Sequence, residues 1–72
     1  MILETRVWKA DGTTIRASLC RDGNRWTITG PLVRLPIGRA GYESEQEARQ
    51  AYDEFSTRKN DELGQIYMVE RN

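Results

Sequence analysis

Leu3, Thr5 and Val7 alternate with Glu4, Arg6 and Trp8, the period of two that marks a half-buried strand. Asp11-Gly12 interrupts the run, and because glycine tolerates positive φ the dipeptide reads as a tight hairpin turn. Ile15, Ala17 and Leu19 then alternate with Arg16, Ser18 and Cys20 in a second strand. Asp22-Gly23-Asn24 makes another turn, and Trp26 and Ile28 alternate with Arg25, Thr27 and Thr29 in a third strand. Gly30-Pro31 bends the chain. Residues 32–35 are expected as a short fourth strand, placed at a sheet edge or strand end by Pro36, which has no N–H to give a ladder.

Beyond Gly38 and Gly41 the period changes. Ser44-Glu45-Gln46-Glu47 is a capping box, in which the serine hydroxyl accepts from the Glu47 amide. Ala48, Ala51, Tyr52 and Phe55 follow at i, i+3, i+4 and i+7, one face of an amphipathic helix that Leu63 extends and Gly64 stops. Glu43, Glu45 and Glu47 sit near its positive end, Arg58 and Lys59 near its negative end. Residues 65–71 contain Ile66, Tyr67, Met68 and Val69 and are long enough to return as a strand. The pattern predicts an α+β fold. An antiparallel meander of three to four strands carries one helix on one face and a C-terminal strand, in the order β-β-β-(β)-α-β. The expected core is Leu3, Val7, Ile15, Ala17, Leu19, Trp26, Ile28, Ala48, Ala51, Tyr52, Phe55 and Leu63.

Length and composition narrow the classes. Seventy-two residues make a single domain, and a core this small leaves only a few kcal/mol of stability. No apolar run approaches the roughly 20 residues of a membrane span, and no signal-peptide core follows Met1. There is no histidine, and Cys20 is the one cysteine, which closes Cys/His zinc sites, Ser–His and Cys–His nucleophilic pairs and internal disulfides. The chain is read as non-enzymatic, free of cofactors, and cytoplasmic.

Charge is divided along the chain. Residues 1–42 carry seven basic and three acidic side chains, and residues 43–72 carry four and eight, so a total of zero conceals a positive sheet and a negative helix with its tail. If the helix covers the apolar face, strict alternation puts Arg6, Arg16 and Arg25 on the opposite face, with Trp8 beside them and Arg34 extending the row. Arginine and tryptophan are the residues enriched at interface hot spots. These five form the candidate binding site, with the alternative for Trp8 that it folds over the sheet edge into the core. The acidic helix face, Glu47, Asp53, Glu54, Asp61 and Glu62, is a solvated surface or an imitation of nucleic-acid phosphates.

The stretch Gly23-Asn24-Arg25-Trp26, then Arg34-Leu35-Pro36-Ile37-Gly38, then Tyr42-Glu43-Ser44-Glu45-Gln46-Glu47-Ala48 through Ala51-Tyr52-Asp53 resembles the AP2/integrase-type DNA-binding domain, within residues 16–55. That family backs a three-stranded sheet with one helix and reads the major groove through Arg and Trp. By this resemblance Arg16, Arg25 and Trp26 are the candidate DNA contacts. The chain departs from the pattern in its C-terminal strand, its acidic half and a longer loop before Tyr42, and alternation assigns Trp26 to the core. A protein partner suits a surface of two signs better than a phosphate backbone does. The leading expectation is therefore a small protein-binding module, of the size and form of regulators and inhibitors carried by phages and mobile elements. DNA or RNA binding through the same sheet face is the alternative. Homodimerisation through a strand edge or exposed apolar residues is the third reading.

Overall fold

A computed structural model describes residues 1–30 and 41–72. β1 (Ile2–Ala10) turns at Asp11 and Gly12 into β2 (Thr13–Asp22), with φ of 51° and 77° at the two turn residues. Positive φ at both positions gives a hairpin turn whose twist matches that of the strands it joins. β3 (Arg25–Thr29) follows, then α1 (Glu45–Leu63), then β4 (Met68–Arg71). All pairings are antiparallel and the sheet order is β3-β2-β1-β4. The molecule is thus the expected α+β arrangement, β-β-β-α-β, with the last strand restricted to four residues. The expected strand over 32–35, with Pro36 and Arg34, lies outside the described residues. Among the described residues no helix is long and apolar enough to cross a membrane.

The helix begins where the capping box places it. The Ser44 hydroxyl accepts from the Glu47 N–H at 3.2 Å, and the Gly64 N–H caps the far end by donating to the Asn60 carbonyl at 2.9 Å. Ala48, Tyr52 and Phe55 face the sheet and pack with Trp8, Ala17, Leu19 and Ile28, while Leu3, Ile15, Trp26, Ala51 and Leu63 border this core. Lys59 does not stand in solvent near the negative helix end; it is buried, 5.4 Å from the centre of the Phe55 ring, and reaches Glu62 at 2.7 Å.

β1 departs from the alternation expected of it. The pairing Ile2↔Cys20 is followed by Glu4↔Leu19, so an extra residue, Leu3, bulges out of register. A bulge advances one strand by a residue and exchanges its two faces. Leu3 meets the core as expected, but from Glu4 onward the even-numbered residues Glu4, Arg6 and Trp8 lie under the helix. Val7 is buried to 1% exposure on the opposite face, between Arg16 of β2 and Met68 of β4.

Candidate functional site

Two of the five sequence-derived site residues lie between β1 and α1, Trp8 buried and Arg6 partly so. Trp8 is 0% exposed; its indole N–H donates to Asn60 Oδ1 at 2.9 Å and its ring meets Phe55 edge-on, with centroids 6.0 Å apart. Arg6, with its side chain 17% exposed, donates to Ser56 Oγ at 2.7 Å and to Asp53 Oδ1 at 2.9 Å. It lies 3.5 Å from the Glu4 carboxylate and 4.2 Å over the Tyr52 ring. Neither residue belongs to the helix-free face, and the expectation of an exposed Trp8 at the centre of an arginine cluster is corrected. The cause is the bulge at Leu3, together with the polar partners that α1 turns toward β1.

Those partners follow from geometry. Two residues of strand advance about 6.8 Å and four residues of helix about 6 Å. Tyr52, Ser56 and Asn60 therefore keep step with Glu4, Arg6 and Trp8. The Tyr52 hydroxyl donates to the Ala17 carbonyl at 3.0 Å and lies 3.5 Å from the Glu4 carbonyl, so the three helix positions each supply a polar contact. Burial pushes the Tyr52 hydroxyl up to about 12, with the nearby Arg6 charge acting in the opposite direction. Arg71 completes the cluster at 3.3 Å from Glu4. The arrangement orders the helix on the sheet and neutralises the buried Glu4; it presents no open chemistry.

What remains for recognition is the sheet face away from the helix. Arg16, opposite Val7, and Arg25, opposite Asp22, project there and are exposed, with no ion pair among the described residues. Lys9 joins them opposite Thr14, its ammonium 4.1 Å from the Tyr67 ring centre. Alternation places Arg16 on this face but not Lys9, because the bulge at Leu3 shifts the faces of β1 by one residue. Between the cations lie hydroxyls: Thr5 and Ser18 are 2.8 Å apart, and Cys20 contacts the Thr29 hydroxyl at 3.7 Å. Asp22 and Glu70 share this face by register, so it carries both signs. Arg34 lies outside the described residues.

Trp26 stands on the helix side, partly buried, with the Arg21 guanidinium 5.2 Å from its ring centre and its buried N–H meeting no acceptor among the described residues. Arg16 and Arg25 are thus brought to one face, and Trp26 to the other. On the helix, Asp53 is held by Arg6, Glu62 by Lys59 and Glu45 by Arg49, so part of the acidic surface is already neutralised. No protein-family model, no curated protein and no solved structure matches this chain.

Proposed function

We propose that the chain is a small non-catalytic protein-binding module, acting as a regulator or inhibitor, that docks through the helix-free face of its sheet around Arg16 and Arg25. The observation that carries this reading is the unequal use of the arginines. Arg6 is consumed by contacts within the molecule, whereas Arg16 and Arg25 stand exposed without an ion pair among the described residues. Guanidinium groups on a rigid strand scaffold offer planar, bidentate contacts to carboxylates with little ordering cost. The presence of Asp22 and Glu70 beside them favours a partner that also carries both signs.

DNA or RNA binding is the second reading, and it draws on the hydroxyls of Thr14, Thr27 and Thr29 on the same face as those arginines, since both groups contact phosphates. The two readings separate in one experiment. The tagged chain and its Arg16→Glu/Arg25→Glu variant are compared for stoichiometric complex formation in native lysate and for binding to duplex and single strands at low salt. A nuclease-resistant protein complex lost in the variant supports the proposal. Nucleic-acid binding that weakens steeply with salt supports the second reading. Equal capture by wild type and variant refutes the docking face.

A further inference from the structure

The two edges of the sheet are treated differently. The outer side of β3 is bridged by Tyr42, whose N–H donates to the Trp26 carbonyl at 2.7 Å and whose carbonyl accepts the Trp26 N–H at 3.0 Å. Among the described residues nothing covers the outer side of β4. Proteins commonly guard such an edge with lysine, proline or a bulge that turns it away. Here Tyr67, Met68 and Val69 follow one another along it, 60%, 39% and 41% exposed.

We propose that β4 is a self-association edge, on which a second copy of this chain pairs its own β4 antiparallel about a two-fold axis at Val69, joining the two sheets edge to edge. The backbone sets the phase. The Asn72 N–H donates to the Leu3 carbonyl at 3.2 Å, so in the β1–β4 register Glu70 and Met68 address β1 while Val69 and Arg71 turn their peptide groups outward. Outward N–H and C=O groups ask for another strand, and the apolar run asks for apolar neighbours; a second β4 offers both.

Charge selects the register. A two-fold axis perpendicular to the sheet must fall on a residue, because opposed side chains share a face. An axis on Glu70 opposes two carboxylates, which is destabilising. An axis on Met68 sets three of the four strand residues, Val69 to Arg71, against residues that precede the strand, whereas an axis on Val69 does so for Arg71 alone. An axis on Val69 sets Val69 against its copy and Met68 against the partner's Glu70, with no like charges opposed. The same axis keeps both helices on one side, so the Arg16 and Arg25 faces of the two copies become continuous. A four-residue edge buries less than the roughly 800 Å² per partner of a standard interface, so the association is a weak one.

Sedimentation equilibrium from about 10 μM to about 1 mM tests it, with amide exchange at the two extremes. The expected result is a mass that rises from 8.3 kDa toward twice that value, with Val69 and Arg71 amides gaining protection only at high concentration. Val69→Pro, which removes an outward N–H, keeps the monomer mass. Val69→Lys keeps the amide but opposes two charges, and weakens association about fivefold. A wild type that stays at 8.3 kDa throughout overturns the proposal, as does a dimer that both variants form equally well. The Arg16→Glu/Arg25→Glu variant still dimerises, which separates failure of this edge from failure of the docking face.

Discussion

Replacement of Trp8 distinguishes a core residue from a recognition residue, and the contacts give the scale. A tryptophan removed wholly from water contributes about 4–6 kcal/mol from 150–250 Å² of buried area. The edge-on contact with Phe55 adds about 1 kcal/mol, and the bond to Asn60 about another. These terms bound the loss at about 6–8 kcal/mol; partial collapse of the site and the compactness of the unfolded chain bring the expected cost of Trp8→Ala to about 3–5 kcal/mol, comparable to the whole stability of a domain this small, and the chain is expected to unfold. The informative test is a double-mutant cycle between Trp8→Phe and Asn60→Ala, read by urea unfolding with far-UV circular dichroism. Asn60→Ala alone strands a buried indole N–H and is expected to cost about 1–3 kcal/mol. On the Trp8→Phe background the same change costs far less, so the coupling is about 1 kcal/mol. Additivity to within about 0.3 kcal/mol would show that the bond contributes nothing. A stably folded Trp8→Ala protein that loses only partner binding would place the indole on the surface and refute the assignment outright.

Two further outcomes follow from buried groups. Because the Tyr52 hydroxyl is raised to about 12 from an ordinary value near 10, the unfolded chain ionises first as pH rises. The stability held by the neutral hydroxyl is fully present below about pH 10 and falls by roughly 2–3 kcal/mol by about pH 12. Tyr52→Phe removes this alkaline slope from denaturant titrations at the expense of about 1–2 kcal/mol at neutral pH, and an unchanged slope would disprove the linkage. Gly41 has φ of 152°, and a Cβ there would stand 2.9 Å from the Trp26 carbonyl oxygen. Gly41→Ala is expected to cost about 1–3 kcal/mol and to lower Tm by about 4–20 °C in a thermal melt; a Tm within about 2 °C of wild type would show that the 41–42 bridge is dispensable.

The element order was readable because each local signal agreed with the next. The Asp11-Gly12 turn, the Ser44 cap and the spacing of Ala48, Tyr52 and Phe55 state their conformations with little help from the rest of the chain. Alternation also identified the inward residues of β2 and β3, Ala17, Leu19 and Ile28. It failed on β1, because a bulge leaves no compositional mark: Leu3 is as apolar as any strand residue, and only its pairing with β2 reveals the extra step. Val7 was correctly read as buried, yet on the wrong face, since Met68 of the last strand helps to cover it.

That single step decides what the arginines are for. A basic half of the chain need not produce a basic surface, because a guanidinium placed under a helix is consumed by whatever polar groups the helix supplies. Asp53, Ser56 and Asn60 recur at intervals of three and four, a polar stripe beside the apolar one that calls for polar partners on the sheet. A burial cost for Arg6 and Glu4 is offset only when both are paired and bonded, and the strand and helix spacings allow that at three successive positions. Arg16 and Arg25 have no counterpart stripe, because among the described residues their face meets no helix. The distinction between structural and recognition arginines in this protein is therefore set by which strand face the helix closes, and the count of basic residues carries no information about it.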